Sequence, residues 1–393
     1  MSATSGTADI VVIGGGIFGL SLARELAERA RRRIVLIERR HLGAGASSRN
    51  VTRVRAMQLT PELARLAIAC QEKHARLDRE LGTATLFWRP GYALVLYDDE
   101  EMEIMGRANA MLRREFGLRT ELLDRRGTLE RVPVLEGGAL PVGALYHRDA
   151  AVHHDSVVIA YRRALSARGV DVREHTEVTG LLVAGKHVEG VATPTGEIRA
   201  PVVVNATGAW SRTISAMAGL DVPNTPLRRE AMVTEAVKPI MDTMVTFYRP
   251  LEGWFHQTLR GEVVMGVTDP AETPGITLSS SAEFPVRTAR HVLAKAPGLA
   301  GLHVVRQWAG MYDVTPDRKP TVGPVAARPG LVQMSGCNGR GFLLGPKLGE
   351  LLAAWLDTGR QPDLLAGFEA DRFAEGAPSV PVVADYYAGY RQK

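Results

Sequence analysis

DIVVIGGGIFGL, residues 9–20, is the stretch of sequence that decides the fold. The apolar, β-branched run Ile10–Ile13 is typical of a buried parallel strand. Glycines follow at once, and apolar residues then recur at helical spacing from Leu20 to Ala27. A second apolar run, Ile34–Ile37, predicts another strand. The segment is therefore a strand–helix–strand unit.

Three glycines of this stretch, Gly14, Gly16 and Gly19, have the spacing GxGxxG. The first allows a tight turn, the second lets the backbone approach a pyrophosphate, and the third lets helix and strand pack closely. The helix start adds positive potential for phosphate. Glu38, at the end of the second strand, is placed to bind a ribose hydroxyl. Glycine-rich turns alone are weak evidence, but here every part of a dinucleotide motif occurs in order.

The motif alone does not separate FAD from NAD. Its position at the start of the 393-residue chain favours FAD, as does a second small-residue turn, Asn205–Gly208, about halfway along. In FAD-binding folds such a turn returns the chain to the same cofactor. We therefore expect FAD, with an NAD-dependent dehydrogenase as the alternative.

Composition limits the partners and the compartment. Lys and Arg number 48 against 43 Asp and Glu, and the net charge of +5 is scattered, so no nucleic-acid partner is expected. Cys70 and Cys337 form no CxxC pair, so we expect no metal site and a reducing compartment. No run approaches the ~20 apolar residues of a membrane helix, and the first residues do not resemble a signal peptide. We expect a cytoplasmic protein without a membrane span.

Further motifs lie along nearly the whole chain: Ala46–Asn50, Val170–Val178, Asn205–Trp210, Trp308–Asp317 and Gly336–Pro346. In this order they resemble the D-amino-acid oxidase-like superfamily of FAD-dependent oxidoreductases, and within it the sarcosine and glycine oxidase group. Arg49–Arg55 resembles most the β subunits of heterotetrameric sarcosine oxidase and of proline and opine dehydrogenases. These motifs are specific for the family and poorly specific for the substrate.

The resemblance implies an α/β fold with two interleaved domains. An FAD-binding, Rossmann-like domain of the glutathione-reductase type is expected over residues 1–86, 147–223 and 306–393. An α+β substrate domain with an antiparallel sheet is expected over residues 87–146 and 224–305. Periodicity predicts helices over about Pro61–Leu81, Glu100–Phe116, Ser156–Arg168 and Ala282–Lys295, and the tail after about Ala377 is expected to be loosely packed.

The resemblance also implies which residues bind FAD. They are Gly14, Gly16, Ile17, Phe18, Gly19, Glu38, Arg39, Ser47, Ser48, Arg49, Asn50, Val178, Ala206, Thr207, Gly208, Gly310, Gly339, Arg340, Gly341, Phe342 and Leu343. The helix predicted after Gly339 would aim N–H groups at the pyrimidine side of the flavin, with a simple glycine-rich turn as the alternative.

Two of these positions depart from the monomeric sarcosine oxidases. Gly310 stands where those enzymes carry the cysteine that bonds FAD, so we expect non-covalent FAD. Leu343 stands where they carry a lysine that helps to activate oxygen, which favours a dehydrogenase over an efficient oxidase.

Four residues are candidates for the substrate side. Arg55 ranks first because a guanidinium can bind a carboxylate through two parallel hydrogen bonds. The alternative is a solvated surface arginine. Tyr248 and His256 are candidates to position the amine or to bind the carboxylate, with ordinary strand packing as the alternative. Arg340, in the glycine-rich segment, is the fourth.

His154 resembles the histidine that covalently carries a second flavin, FMN, in the sarcosine oxidase β subunit. The alternative is a histidine that caps a helix. FMN at a subunit interface would imply a partner, a second flavoprotein or an iron–sulfur subunit.

The function expected from these observations is FAD-dependent oxidation of a small amino acid or other amine. A hydride passes from the α-carbon to flavin N5, and the resulting imine hydrolyses. The cofactor performs the difficult chemistry, which fits the absence of an obvious catalytic dyad in the sequence. The alternatives are a 2-hydroxy-acid oxidoreductase on the same fold and an electron-transfer flavin subunit whose catalysis lies in a partner.

Overall fold

The computed structural model describes residues 6–374 and residue 376, so the tail after Ala377 lies outside the described residues. The helices are α1 (Ile17–Arg29), α2 (Pro61–Leu81), α3 (Asp99–Phe116), α4 (Arg125–Arg131), α5 (His154–Ala167), α6 (Ser211–Ala216), α7 (Glu283–Leu293) and α8 (Gly341–Thr358). The strands are β1 (Gly6–Thr7), β2 (Ile10–Ile13), β3 (Ile34–Ile37), β4 (Arg53–Val54), β5 (Tyr92–Leu96), β6 (Glu121–Asp124), β7 (Gly143–His147), β8 (Ala150–Ala151), β9 (Asp171–Arg173), β10 (Gly180–Ala184), β11 (His187–Thr193), β12 (Gly196–Arg199), β13 (Val202–Asn205), β14 (Thr225–Ala236), β15 (Met244–Phe247), β16 (Gly253–Gln257), β17 (Glu262–Val267), β18 (Val304–Val314), β19 (Thr321–Pro324) and β20 (Leu331–Ser335).

A six-stranded sheet contains the N-terminal strand–helix–strand unit. Its order is β19-β20-β13-β2-β3-β9, and all neighbours are parallel except β19 and β20. Alternate residues of β2 face opposite sides, so Ile10 and Val12 pack with α1, α2, α5 and α8. Val11 and Ile13 pack with the smaller sheet of β1, β12, β11 and β10. Burial on both faces explains why β2 and β3 consist of Ile, Val and Leu alone.

The largest sheet has eight strands, in the order β18-β14-β17-β16-β15-β5-β7-β6. Its neighbours are antiparallel except β15 and β5. Of the strands in this sheet, β18 comes last in the sequence, and it continues to Val314. The predicted substrate domain ends earlier, at residue 305. The predicted α/β class is confirmed, and the chain passes from β18 of this sheet to β19 of the six-stranded sheet.

Helix α8 packs closely on α1 because glycines line the contact. If Gly345 carried a Cβ atom, that atom would lie 2.9 Å from the side chain of Ile17, and a Cβ atom added to Gly349 would lie 2.5 Å from Ser21 Oγ. At Gly341 the nearest atom, in the ring of Phe18, would be 3.1 Å away. The spacing of four residues places these glycines on one face of the helix. Both helices therefore start side by side.

Candidate active site

A cavity of about 290 Å³ lies where the carboxyl ends of β2, β3 and β13 face the eight-stranded sheet. The predicted cofactor residues that line it are Gly14, Gly16, Ile17, Phe18, Glu38, Arg39, Ser47, Arg49, Asn50, Val178, Ala206, Thr207, Gly208, Gly310, Gly339, Gly341 and Phe342. Gly19, Ser48, Arg340 and Leu343 are not among its lining residues. The fold therefore brings segments that are distant in sequence to one cavity.

The turn after β2 is built so tightly that it needs glycine. Gly14 has a φ of +106°, and a Cβ there would lie 2.7 Å from the carbonyl oxygen of Ala206. At Gly19 a Cβ would lie 1.9 Å from the carbonyl oxygen of Gly14. The turn after β2, the turn after β13 and the first turn of α1 are consequently in direct contact. Although Gly19 does not line the cavity, it sets this contact.

The start of α1 has the electrostatics that a phosphate requires. Gly16 precedes the helix without a side-chain cap, and the first turn contains no acidic residue. Ser47 accepts a hydrogen bond of 2.8 Å from the N–H of Ile17. No acidic side chain in this turn neutralises the positive potential of the helix end. The turn and the helix end fit the diphosphate of a dinucleotide.

Glu38 organises the end of the cavity next to β3. Its carboxylate accepts hydrogen bonds of 2.8 Å from the N–H groups of Gly15 and Arg40. The guanidinium of Arg39 lies 4.2 Å from the centre of the Trp210 ring, and both side chains line the cavity. Trp210 was not among the predicted cofactor residues, although it ends the motif Asn205–Trp210.

Arg49 connects the loop after β3 to β18. Its guanidinium donates to the carbonyl oxygens of Ala44 at 3.2 Å and Ala309 at 3.3 Å, and its own carbonyl accepts from Trp308 Nε1 at 2.9 Å. Burial lowers the pKa of Arg49. A Cβ at Gly310 would lie 3.2 Å from the Cβ of Arg49, so the strand passes close to this loop.

Asp313, which sequence reasoning missed, is a buried carboxylate in the cavity wall. It accepts hydrogen bonds from the N–H of Gly336 at 2.6 Å, from Asn224 Nδ2 at 3.0 Å and from Ser211 Oγ at 3.3 Å. Burial raises the pKa of Asp313 to about 6 in spite of these donors. The carboxylate holds the loop between β20 and α8 against β18. The signal in the sequence was the acid between two apolar residues of the motif Trp308–Asp317.

On the side of the eight-stranded sheet, the residues that line the cavity include Arg229, Glu252, Trp254 and Tyr312, together with the charged residues Arg228, Glu230, Asp269 and Glu272. The guanidinium of Arg229 lies 5.3 Å from the centre of the Tyr312 ring, and its Nη1 donates to the carbonyl oxygen of Arg228 at 3.0 Å. Its Nε is buried and has no hydrogen-bond partner among the described residues. Burial raises the pKa of Tyr312, so its hydroxyl stays protonated at neutral pH.

Comparison with known proteins identifies the family. The family model described as DAO, FAD dependent oxidoreductase, matches residues 9–355. The chain belongs to this family. The β subunit of sarcosine oxidase from Rhodobacter capsulatus is 29% identical over 379 residues, 94% of this chain and 89% of the relative. Glycine oxidase from Pseudomonas aeruginosa is 30% identical over 376 residues, 90% of this chain and 95% of the relative.

The solved structures agree with this family. L-proline dehydrogenase from P. horikoshii superimposes with a TM-score of 0.88 at 30% identity, covering 95% of this chain and 100% of that one. Glycine oxidase from Geobacillus kaustophilus gives a TM-score of 0.85 at 26% identity, with coverage of 93% and 99%. The predicted fold, family and FAD cofactor are confirmed, and the NAD alternative is set aside.

The residues around the cavity fit FAD. The helix end of α1 and the glycines after β2 would hold the diphosphate, and Glu38, Arg39 and Trp210 line the end next to β3. The start of α8, with Gly341 and Phe342, lines another part of the wall. Like α1, α8 has no acidic residue in its first turn and no side-chain cap. When bound, FAD supplies the oxidising equivalent by accepting a hydride at N5.

Arg55 and its neighbour Arg53 lie behind this wall and are not among the residues that line the cavity. Arg55 Nη1 donates to Tyr92 Oη at 2.8 Å, and its guanidinium lies 4.9 Å from the centre of the Tyr92 ring. Arg53 donates to Thr246 Oγ1 at 2.7 Å and to the carbonyl oxygen of Val245 at 3.0 Å. Burial lowers the pKa of Arg53 to about 10. The arginines that line the cavity from this side include Arg229, Arg228 and Arg287, and a role for Arg55 at the substrate stays a prediction.

His256, Tyr248 and Arg340 also do not line the cavity. His256 is buried with Nδ1 3.5 Å from Arg53 Nη2, and burial holds its pKa well below the usual range, so the ring is neutral. Tyr248 is buried in an apolar cluster with Tyr92 and Met244. Arg340 donates to the carbonyl oxygen of Arg318. Their catalytic roles stay predictions.

His154 is the first residue of α5, and the residue that caps this helix is His153. His153 Nδ1 accepts a hydrogen bond of 3.4 Å from the N–H of Ser156. The alternative that made His154 the capping residue is therefore wrong. His154 Nε2 lies 3.3 Å from Asp155 Oδ1, and its Nδ1 is buried without a hydrogen-bond partner among the described residues. Burial lowers the pKa of His154.

Neither a metal centre nor a membrane span is evident in the part of the chain that the structure describes. There, no three His, Cys, Asp or Glu side chains are grouped in a way that could hold a metal ion. None of the helices between residues 6 and 374 combines the length and the apolar character needed to cross a membrane.

Proposed function

We propose that the chain oxidises a small amino acid or secondary amine that carries a carboxylate, by hydride transfer from the α-carbon to FAD. The imine that results is hydrolysed by water. The observation that carries this proposal is the pairing of Arg229 with Tyr312 in the cavity wall. Their guanidinium and hydroxyl groups both donate hydrogen bonds, as a carboxylate requires.

The cation that supports an anionic substrate is Arg229. Among the charged groups that act on the Tyr312 hydroxyl, Arg229 and Glu252 line the cavity, whereas Arg53 and Arg55 do not. Arg228 and Arg287 also line the cavity, but Arg228 is paired with Glu272 and Arg287 with Asp269. Arg229 donates one hydrogen bond, from Nη1 to the carbonyl oxygen of Arg228, and its Nε has no partner among the described residues. Arg229 is therefore the better ligand for a carboxylate.

The surroundings also suit a reaction without a strong protein base. His256 is neutral and does not line the cavity, and the Tyr312 hydroxyl stays protonated. An amine that binds in its neutral form needs no further proton removal before the hydride leaves. The chain then has to bind, orient and desolvate the substrate.

The experiment is anaerobic mixing of the FAD-loaded protein with a panel of amino acids and N-methyl amino acids. Each is compared with its carboxylate-free amine and with its 2-hydroxy acid. We expect bleaching of the flavin band with amino acids and none with the amines. Bleaching only by 2-hydroxy acids would establish the alternative oxidoreductase, and no bleaching by any compound would refute the proposal.

Variants of Arg229 test the carboxylate ligand. Arg229→Met should raise the substrate dissociation constant about 10- to 150-fold, the loss expected for a charge-assisted hydrogen bond. Arg229→Lys should recover part of that loss, because it keeps the positive charge but cannot make two parallel hydrogen bonds to the carboxylate. Arg131→Met is the matched control: Arg131 also lies over a tyrosine, 4.3 Å from the centre of the Tyr146 ring, and does not line the cavity. Equal effects of Arg229→Met and Arg131→Met would contradict the assignment.

A second proposal concerns the electron acceptor. The relatives include sarcosine oxidase β subunits, and His154 has a buried ring nitrogen without a partner among the described residues. We infer that FAD is held non-covalently, that FMN is attached at His154, and that a second flavoprotein or iron–sulfur subunit receives the electrons. Leu343 is buried and offers no cation for oxygen activation, which favours a dehydrogenase.

Denaturing the purified protein tests these points. FAD should be released, while FMN should stay attached to a peptide that contains His154. Release of FAD alone from the wild type, with no flavin on any peptide and rapid peroxide formation by the isolated chain, would instead establish an autonomous oxidase.

A further inference from the structure

Helix α8 contains a proline in its second turn, at Pro346. Proline has no N–H group, so the carbonyl oxygen of Phe342, four residues earlier, loses its partner within the helix. Phe342 lines the FAD cavity. The missing hydrogen bond therefore falls in the turn of α8 that faces the cofactor.

His74, on α2, supplies a donor at this place. Its Nε2 lies 3.1 Å from the carbonyl oxygen of Phe342 and 3.1 Å from that of Leu343. The ring is fully buried, and its Nδ1 has no hydrogen-bond partner among the described residues. Because both acceptors are carbonyl oxygens, the proton must be on Nε2. Burial lowers the pKa of His74 to about 4, so the ring is neutral at physiological pH.

Other side chains hold the following carbonyl groups of the same helix. Cys70 Sγ, also on α2, lies 3.7 Å from the carbonyl oxygen of Leu344. Ser21 Oγ, on α1, donates to the carbonyl oxygen of Gly345 at 2.9 Å. The carbonyl groups of the first turns of α8 are thus contacted from both neighbouring helices, and His74 serves the one that the proline leaves without a donor.

We propose that His74 is a positioning residue for FAD, which replaces the hydrogen-bond donor that Pro346 removes and thereby fixes the first turn of α8 against the cofactor. The inference rests on FAD, which the family establishes, and not on the proposed substrate. The positive end of α8 stabilises negative charge on the reduced flavin, so displacement of this turn lowers the reduction potential.

A double-mutant cycle tests the pairing of His74 with Pro346. His74→Phe keeps an aromatic ring and removes the donor, whereas Pro346→Ala restores an N–H that can reach the Phe342 carbonyl from within the helix. His74→Gln is the conservative variant, because its amide N–H can occupy the place of Nε2. The two measurements are the FAD dissociation constant of the apoprotein, by fluorescence titration, and the midpoint potential of bound FAD.

We expect His74→Phe to weaken FAD binding about tenfold, the equivalent of one net hydrogen bond, and to lower the midpoint potential. His74→Gln should stay within about twofold of the wild type. Pro346→Ala alone should change little, and in the His74→Phe background it should recover most of the loss. If the two substitutions are additive, so that Pro346→Ala rescues nothing, the proposal is overturned.

If His74→Phe does not fold, His74→Asn takes its place, because its shorter side chain cannot reach the two carbonyl groups. Recovery of FAD binding by His74→Asn/Pro346→Ala would support the proposal. Unchanged FAD affinity and potential in His74→Asn itself would overturn it. If the proposed substrate is wrong, the FAD affinities and midpoint potentials of these variants are unaffected.

Discussion

Replacing Gly14 by alanine tests the tightest point of the cofactor turn. Gly14 has a φ of +106°, which L side chains rarely adopt, and the new Cβ would lie 2.7 Å from the Ala206 carbonyl oxygen. The backbone strain costs about 1–3 kcal/mol, and the overpacking about the same again. Reduced freedom of the unfolded chain returns about 0.4–1 kcal/mol. The net loss of unfolding free energy is therefore about 1–6 kcal/mol, a large share of the ~5–15 kcal/mol of a typical domain.

Gly45→Ala is the matched control, because Gly45 lines the same cavity and a Cβ there would meet nothing closer than a Trp210 ring atom at 3.9 Å. Urea denaturation of both apoproteins gives the stability, and fluorescence titration gives the affinity for FAD. Gly14→Ala should lose at least a hundredfold in affinity, since the diphosphate lies on the distorted turn, whereas Gly45→Ala should stay close to the wild type. Equal stability and equal FAD affinity in the two variants would refute the reasoning.

Three other substitutions probe groups away from this turn. Lys73→Met should lower the unfolding free energy by about 1.5–3 kcal/mol in urea denaturation, because Lys73 is buried and its charge-assisted hydrogen bonds to Glu25 and Glu350, each at 2.9 Å, would be lost while Arg24 and Lys347 remain as partners; Arg126→Met, which breaks an exposed pair with Glu130, should change nothing measurable. Burial lowers the pKa of Lys295 to about 8 against the usual 10.5, so the unfolded chain binds the extra proton between these values. The wild type should gain stability relative to Lys295→Met as pH rises from 8 to 10, and a pH-independent difference between the two would show that the ammonium is not disfavoured in the fold. Arg39→Met should weaken FAD binding less than tenfold, because only one cation–π contact, with Trp210, is lost. Calorimetric titration measures this affinity, and a loss of more than a hundredfold would show that Arg39 has a larger role.

Much of the fold could be predicted because its local signals agree with its packing. Helix α2 spans Pro61–Leu81 as predicted, since proline fits the first helical position and Gly82, with a φ of +62°, ends the helix. Helix α5 begins two residues before the predicted Ser156, because His153 acts as the cap. The strong strand pattern of β2 and β3 likewise predicts the position of the glycine turn correctly.

The proposed substrate side could not be predicted, because it depends on pairing between strands that are far apart in sequence. Arg229 reaches the cavity because β14 pairs with β18 in a register that sets Arg229 opposite Gly310. The motif ranks Arg55 first, but Tyr92, 37 positions away, binds its guanidinium. Asp313 becomes a buried acceptor only when the loop at Gly336 folds over it. No local pattern contains these contacts.

The glycine-lined contact between α1 and α8 affects how the protein binds the cofactor. Gly345 and Gly349 leave no gap between the two helices, so neither can tilt without carrying the other along. Both helix ends that meet the cofactor accordingly move as a single rigid body. A bulky residue at Gly349, a position remote from the cavity, should loosen the hold on FAD at both places together.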